Sequence, residues 1–445
     1  MYYKNQELNI KITATSSEGS GIGHHDGMVV FVVGALEGDE VVCHLIKITK
    51  NYLVAKIKEF IKKSPYRINS DCPVAVSCGG CTFRELDYQK ELEIKNKNVY
   101  ETIKRIGGCD LLPEPILSGK RKSYRNKAAY PVRNDFIVGF YANKSHRIIP
   151  SISCAVAPKI FESALKIIIN WGKKYNISAY NEENNQGILR HVVFRFAEIT
   201  EQLMITLVIN SDDLPHKNEL INQLYLELKN TIKSINLNVN KKKTNVIFGK
   251  EIKNIYGEKN IEDILCGLRF KISPLSFYQV NREMAEKLYY KAIEYAEPDN
   301  KIIFDLYCGN GTIGLSMANK AKKIIGIEIE PSAIENAKIN AKINNINNAE
   351  FICGDAFNSS YKISEKPDII ILDPPRKGVD NKLLVRIMEY YKPEKIVYIS
   401  CNPSTLARDI KILSTNYKLE KYTPVDLFPG TKHIEVCSCL TKIKE

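Results

Sequence analysis

The stretch Ile302-Ile-Phe-Asp-Leu-Tyr-Cys-Gly-Asn-Gly-Thr-Ile-Gly314 decides the fold of the C-terminal part of this chain. It joins a short apolar run to a turn in which Gly309, Gly311 and Gly314 have the G-x-G-x-x-G spacing. Further strand-sized apolar runs follow, with helical segments between them, at 323–329, 349–353, 369–372 and 395–400. This alternation predicts an α/β fold with a doubly wound parallel sheet over residues 271–445.

Acidic residues follow the glycine turn near the ends of the next two strands. Glu328 lies about twenty residues further on, a spacing that suits a carboxylate accepting hydrogen bonds from ribose hydroxyls. Asp355 ends the third strand, where it is placed to meet an adenine amine. Because the carboxyl ends of parallel strands share one edge, the pattern predicts a nucleoside ligand there. The turn alone does not separate S-adenosylmethionine from a dinucleotide, and a glycine-rich turn with surface acids is the structural alternative.

The loop Asp373-Pro-Pro-Arg376 follows the fourth strand. Two prolines hold it rigid, so the Asp373 carboxylate is fixed at the strand end. The loop resembles the Asn/Asp-Pro-Pro-aromatic loop of methyltransferases that act on amines, which favours S-adenosylmethionine. Arg376 stands in place of the aromatic residue, which argues against an amine substrate. A plain proline-stiffened turn is the alternative.

Cys401 follows the fifth strand, in Ser400-Cys-Asn-Pro403. A cysteine at this edge is well placed to be a nucleophile, although an isolated one would more often be structural. A methyltransferase needs a thiolate when the acceptor is carbon 5 of uracil, which becomes reactive once sulfur adds at carbon 6. A base must later remove the proton from carbon 5, and Glu435 supplies a carboxylate just before a final strand. Taken alone, Glu435 would more often be a surface acid.

Gln279 lies in Ser276-Phe-Tyr-Gln-Val-Asn281, just before a helix that is predicted to begin near residue 281 and to end near residue 296. Its amide is placed to bind polar groups of a cofactor or the edge of a base. A helix-capping or solvent-facing glutamine is an equally good interpretation of this position.

Three cysteines cluster in the segment Cys72-x5-Cys78-Gly-Gly-Cys81. The two glycines let the loop fold tightly around an ion or a cluster, and Cys154 is the natural fourth ligand. Four cysteines fit either tetrahedral zinc or an iron–sulfur cluster. The gap between the first two cysteines is wider than zinc sites usually have, which favours a 4Fe-4S cluster.

The rest of the chain predicts two further domains before the α/β unit. Residues 1–62 hold short β-branched strands between glycines, which is typical of an oligonucleotide-binding (OB-like) β-barrel. Residues 63–270 mix helices and strands around the cysteine cluster, as an α+β central domain. A net charge of +13 favours a polyanionic partner, although a general richness in lysine explains it as well. With no signal peptide or membrane-length apolar run, we expect a cytoplasmic protein that does not bind membranes.

Together these motifs resemble the bacterial 5-methyluridine RNA methyltransferases, especially those that modify 23S ribosomal RNA, over nearly the whole chain. The resemblance implies a TRAM barrel, an iron–sulfur central domain and a Rossmann-like methyltransferase domain, acting on a flipped base. It implies that Cys401 is the nucleophile and Glu435 the proton acceptor. It also implies two sets of binding residues: for the cofactor Gln279, Tyr307, Thr312, Glu328, Asp355 and Asp373, and for the 4Fe-4S cluster Cys72, Cys78, Cys81 and Cys154. One departure is Arg84, the third residue after the last clustered cysteine, where many members carry a glutamine.

The resemblance leaves alternatives open. The first is a transfer-RNA uridine methyltransferase with the same chemistry, against which the TRAM-like N-terminus weighs. The second is a methyltransferase with another acceptor, such as an amine. The third is a non-catalytic RNA-binding protein, which the presence of both Cys401 and Glu435 disfavours. We expect RNA as the partner and a monomeric enzyme.

Overall fold

The N-terminal strands form one curved sheet. The computed structural model describes residues 2–133, 135–143, 145–359, 361 and 363–444. The first six strands have the order β1-β5-β6-β4-β3-β2, with bounds β1 Glu7–Lys11, β2 Ala14–Thr15, β3 Gly21–His25, β4 Met28–Val33, β5 Glu40–Ile48 and β6 Tyr52–Lys62. Strand β1 also packs across β3, where a Cβ at Gly23 would lie 2.7 Å from the Lys11 carbonyl oxygen. This crossing brings the two ends of the sheet together, as the predicted barrel requires.

A second sheet of seven strands forms the middle of the molecule. Its order is β13-β12-β11-β10-β7-β8-β9, with bounds β7 Lys127–Arg133, β8 Ile137–Tyr141, β9 Ile148–Pro150, β10 Leu189–Ala197, β11 Gln202–Ile209, β12 Ile232–Val239 and β13 Glu251–Gly257. The helices α2 (Lys159–Lys174) and α3 (Lys217–Leu228) share its apolar core. A hairpin of β14 (Ile261–Leu265) and β15 (Leu268–Ile272) leads into the C-terminal unit.

The C-terminal sheet confirms the predicted α/β fold class. Its order is β18-β17-β16-β19-β20-β22-β21, with bounds β16 Ile302–Leu306, β17 Lys323–Glu328, β18 Ala349–Cys353, β19 Ile369–Leu372, β20 Lys395–Ser400, β21 Tyr417–Val425 and β22 Glu435–Lys442. The first five strands of that order pair in parallel, and β22 is antiparallel to both of its neighbours. Successive strands run from β16 outward to β17 and β18 on one side, and the chain then returns to β19 and β20 on the other side. This reversal of strand order next to β16 opens a crevice at the carboxyl ends of the strands.

Helices cover both faces of this sheet. Their bounds are α4 Arg282–Ala296, α5 Thr312–Met317, α6 Pro331–Ile343, α7 Ala356–Ser359, α8 Asn381–Arg386, which a π-turn extends over Ile387–Tyr391, and α9 Pro403–Leu413. Helix α1 (Tyr88–Gly107) begins at Asp87, whose side chain accepts from the backbone of the first turn, and ends at Gly108 with φ 70°. None of the helices described in this structure is long and apolar enough to cross a membrane.

Helix α1 lies within the predicted central domain by sequence, but it packs against the C-terminal unit. Its residues Val99 and Ile103 are fully buried in the same cluster as Leu406 and Ala407 of α9. The helix therefore completes one face of the C-terminal sheet, although it precedes the central sheet in the chain. The boundaries at residues 62 and 270 stay predictions, because packing in this protein does not follow chain order.

Candidate active site

A cavity of about 1410 Å³ opens between the carboxyl edge of the C-terminal sheet and the central sheet. Strand ends supply one wall, and the cysteine segment and the start of β7 supply the other. All of the residues predicted to act in catalysis, cofactor binding or metal binding line this single cavity: Cys72, Cys78, Cys81, Cys154, Gln279, Tyr307, Thr312, Glu328, Asp355, Asp373, Cys401 and Glu435. Residues from both halves of the chain thus face one space.

The glycine turn is built around Glu328. One Glu328 carboxylate oxygen accepts from the Gly309 backbone N–H at 3.2 Å, and the other accepts from the Glu330 N–H at 3.0 Å. Tyr307 has φ 71°, a strained value for a residue with a side chain, and its backbone donates to the Ile327 carbonyl. These bonds fold the turn over the end of β17, so a carboxylate and several backbone groups face the cavity together.

The other predicted cofactor residues are held by local bonds. The Thr312 hydroxyl lies 3.2 Å from the Tyr289 hydroxyl, and Asp355 accepts from the Asn358 backbone at 3.0 Å. The Gln279 carbonyl accepts from the Asn126 side chain at 2.9 Å, which ties the segment before α4 to the central sheet. Their fixed backbones suit a preformed binding site.

Sequence reasoning missed Asn310. Its side-chain amide donates to the Phe277 backbone carbonyl, and its own backbone carbonyl accepts from the Asn340 side chain at 3.2 Å. Asn310 therefore clamps the segment that carries Gln279 onto the glycine turn. An asparagine between two glycines was the available signal, because such a residue is often kept for its side-chain hydrogen bonds.

The loops that contain Asp373 and Cys401 are hydrogen-bonded to each other. Asn402 caps α9 by accepting from the Ser404 backbone at 3.1 Å, and its amide donates to the Arg376 carbonyl at 3.1 Å. The Thr405 hydroxyl also donates to that carbonyl, at 3.4 Å. The Asp373-Pro-Pro-Arg376 loop is thereby fixed beside Cys401.

Glu435 is a buried acid rather than a surface one. It begins β22, pairs with Val425 and is only 6% exposed. Burial raises its carboxyl pKa well above the usual value, repulsion from Asp373 adds to the rise, and Arg376 opposes it. A carboxyl group with a raised pKa is the better proton acceptor once it is ionised.

The Cys401 thiol shares this electrostatic environment. Burial raises its pKa first, and the charges of Glu435 and Asp373 raise it further, while Arg376 lowers it. Arg376 also lies 3.4 Å from the His433 ring through Nη2 and Nδ1. It is the cation that favours the ionised forms of both Cys401 and Glu435, a role that its place in the loop alone did not reveal.

The four clustered cysteines are free thiols that interact electrostatically. Burial raises the pKa of Cys81, and the neighbouring Cys154, Cys78 and Cys72 contribute to the rise. The sulfur of Cys78 accepts from the Gly80 backbone at 3.4 Å. Within the described ranges, no three His, Cys, Asp or Glu side chains are arranged as the ligands of one metal ion. A tetrahedral zinc site would hold its sulfurs about 3.8 Å apart.

Comparison with known proteins identifies the family. The family described as tRNA (Uracil-5-)-methyltransferase matches residues 87–443, and the TRAM domain matches residues 2–58. The chain belongs to the tRNA (Uracil-5-)-methyltransferase family. The predicted RNA (uracil-5-)-methyltransferase with a TRAM domain is therefore confirmed. The family match begins at α1, in agreement with the packing of that helix on the C-terminal sheet.

Relatives of this methyltransferase align over nearly their full length. An uncharacterized RNA methyltransferase of Clostridium tetani is 41% identical, covering 98% of this chain and 97% of the relative. One from Bacillus cereus is 39% identical, covering 99% and 98%. The tRNA (uracil-54, C5)-methyltransferase of Pyrococcus abyssi, solved with S-adenosyl-L-homocysteine, has a TM-score of 0.82 and 30% identity, covering 98% of this chain and 100% of that one.

Proposed function

We propose that this enzyme transfers a methyl group from S-adenosylmethionine to carbon 5 of a uridine in RNA, through a covalent bond between Cys401 and carbon 6. The observation that carries the proposal is the convergence of Cys401, Glu435 and the strand-end acids on one cavity. A thiol, a buried carboxyl group and a nucleoside-binding edge are the groups that this reaction needs.

The residues on the strand ends suit the cofactor. Glu328 is placed to accept from ribose hydroxyls and Asp355 from the adenine amine, while Gln279, Tyr307, Thr312 and Asp373 line the same wall. The bound cofactor supplies an electrophilic methyl group. The S-adenosyl-L-homocysteine in the structure of the Pyrococcus abyssi relative supports this assignment.

The protein's own groups then move electrons and one proton. The Cys401 thiolate bonds to carbon 6, and the electrons of the carbon 5–carbon 6 double bond shift to the carbonyl at carbon 4. Carbon 5 takes the methyl group, and the departing sulfur of the cofactor keeps the bonding electron pair. Glu435 accepts the proton from carbon 5, the double bond forms again, and the thiolate leaves. Arg376 favours the thiolate at the first step.

We propose that the methylated uridine lies in 23S ribosomal RNA, because the sequence motifs resemble those of enzymes that modify this RNA. Transfer RNA is the second candidate, because the full-length relative from Pyrococcus abyssi acts on tRNA and aligns across the barrel as well. The N-terminal barrel consequently does not discriminate between the two RNAs. A monomeric enzyme in the cytoplasm remains part of the proposal.

A transcript containing 5-fluorouridine tests the covalent step. Fluorine at carbon 5 cannot leave as a proton, so the purified enzyme should form a protein–RNA conjugate that survives denaturing electrophoresis. Cys401→Ala should form none, whereas Cys109→Ala, which changes a half-buried cysteine outside the cavity, should form it as the wild type does. Absence of the conjugate where turnover on uridine is seen would refute the mechanism.

Mass mapping of both RNAs from a deletion strain tests the target. We expect 5-methyluridine to disappear from one position or more of 23S ribosomal RNA and to return with the wild-type gene. Disappearance from transfer RNA alone would establish the second candidate instead.

We also propose that Cys72, Cys78, Cys81 and Cys154 hold a 4Fe-4S cluster. The four cysteines line the same cavity wall, burial raises the pKa values of Cys81 and Cys154, and the charges of neighbouring thiols raise them further, which supports this proposal. A 4Fe-4S cluster also holds its cysteine sulfurs further apart than a single zinc ion does. Protein purified without oxygen should contain iron and acid-labile sulfide, and Cys81→Ser should lose both. Stoichiometric zinc without sulfide would favour the tetrahedral alternative.

A further inference from the structure

Three cations meet on the central sheet beside the cavity. Lys127 of β7 and Arg195 of β10 are directly paired across the two strands. The Arg125 guanidinium donates from Nε to the Lys127 carbonyl at 3.1 Å, and Arg125 itself lines the cavity. Arg195 donates to the carbonyl of Ser276, another lining residue. We call Arg125, Lys127 and Arg195 the cation triad.

The triad has no anionic partner in the part of the chain that the structure describes. Arg195 is 4% exposed and its Nε has no hydrogen-bond partner. The Lys127 ammonium rests 5.5 Å from the centre of the Phe248 ring. Glu198, which directly follows β10, is already paired with Lys120 and lies 3.9 Å from Arg282. Burial and then the two arginines lower the Lys127 pKa to about 7.

Such a cluster is costly in the free protein. A buried charge destabilises a fold unless a partner or a hydrogen-bond network compensates it. Two arginines and a protonated lysine can only donate hydrogen bonds, so a ligand shared by all three must offer acceptors and negative charge. Uracil edges mix donors and acceptors, whereas a phosphodiester has acceptor oxygens and a full charge.

We infer that the cation triad binds one backbone phosphate of the RNA, next to the uridine that enters the cavity. The inference rests on the proposed function, because it requires RNA as the substrate. The carboxylate of S-adenosylmethionine is a competing anion for the triad. The predicted cofactor residues, however, lie at the edge of the other sheet, where Glu328 ends β17 and Asp355 follows β18. Holding a neighbouring phosphate would fix the sugar–phosphate chain while the base is turned out.

Lys127→Met tests the triad, because methionine keeps much of the side-chain volume and removes the charge. We expect the dissociation constant for a structured 23S fragment or transfer RNA to rise on the order of tenfold, and the salt slope to fall by about one. Affinity for S-adenosylmethionine should not change. Without RNA, the variant should melt at a higher temperature than the wild type, which a merely structural lysine would not do.

Lys217→Met is the matched control, since it removes an α3 lysine that is paired with Asp213 away from the cavity. It should keep the wild-type affinity and salt slope. A single methylphosphonate linkage beside the target uridine should weaken wild-type binding and should weaken binding by Lys127→Met less, because only the two arginines then face the linkage. Wild-type affinity and slope in Lys127→Met would overturn the inference, as would a loss confined to S-adenosylmethionine. The fluorouridine conjugate of the wild type tests the proposed function separately, because RNA binding is measured without turnover.

Discussion

The proposed role of Glu435 can be tested independently of that of Cys401, because the two residues act at different steps of the reaction. Glutamine has the shape of the buried Glu435 side chain, and burial already disfavours the charge that the substitution removes, because it raises the carboxyl pKa. Glu435→Gln should therefore fold normally, add Cys401 to carbon 6 and transfer the methyl group. It should fail to remove the proton, so a methylated covalent complex should accumulate on ordinary uridine transcripts, with turnover lower by about 10²–10⁴. Normal turnover by this variant would assign the proton to another group.

The pH dependence of kcat/KM follows from two groups that must lose a proton. The reactive forms of Cys401 and Glu435 are the ionised ones, and because both pKa values are raised, these forms become populated only at higher pH than in free side chains. The rate should increase from acidic to alkaline pH. Arg376 lowers both pKa values, so Arg376→Gln should shift the rising limb to higher pH, and Arg376→Lys should shift it less. A limb that stays in place would mean that Arg376 acts only by positioning the loop.

Helix α1 is joined to the loop before β22 by a buried ionic network. Lys95 donates to Glu91 and to Asp426, each at 2.7 Å, and all three side chains are essentially inaccessible. Glu91 also accepts from the Gly430 backbone at 2.7 Å. Residues 426–434 are thus held by the helix in a position that delivers Glu435 into the cavity.

Removing Lys95 from that network should be costly. Arg121 stays paired with Glu91 at 3.1 Å, but Lys95→Met leaves the buried Asp426 carboxyl group without its cation, and we expect the free energy of unfolding to fall by about 3–5 kcal/mol. Lys104→Met, on the same helix, breaks a largely exposed pair with Asp110 and should cost less than about 1 kcal/mol. Urea denaturation compares the two variants. Equal losses would show that the network is not the main attachment of α1.

The sequence predicted the elements of the C-terminal sheet well, but it did not indicate which surface α1 covers. Each of these strands is a short apolar run that stops at a glycine, a proline or an acidic residue, so its bounds can be read from the local sequence. The predicted bounds accordingly agree with β16, β18, β19 and β20. An amphipathic helix reveals that one face is buried but not which surface covers it. The clamp by Asn310 and the cation triad likewise depend on contacts between residues far apart in the chain.

On the scale of the molecule, the cysteine segment contacts the loop that leads into β22 and Glu435, the proposed proton acceptor. The backbone N–H groups of Thr82 and Phe83, which follow Cys81, both donate to the Gly430 carbonyl, at 2.9 and 2.8 Å. Tyr124, beside the triad, donates to the Pro429 carbonyl at 3.0 Å. The central segment therefore helps to place Glu435, although it supplies no group to the proposed chemistry.

Loss of the proposed cluster should consequently loosen the segment that positions Glu435. In Cys81→Ser, the segment that donates to Gly430 loses an anchor, so amide hydrogen exchange across residues 426–435 should become faster. Turnover should fall, while affinity for S-adenosylmethionine stays unchanged because the strand-end residues are built on other bonds. Cys266→Ser, in the β14–β15 hairpin, should alter neither measurement. If Cys81→Ser loses its iron and the exchange at residues 426–435 stays as in the wild type, the contact at Gly430 does not transmit the state of the cluster to the base.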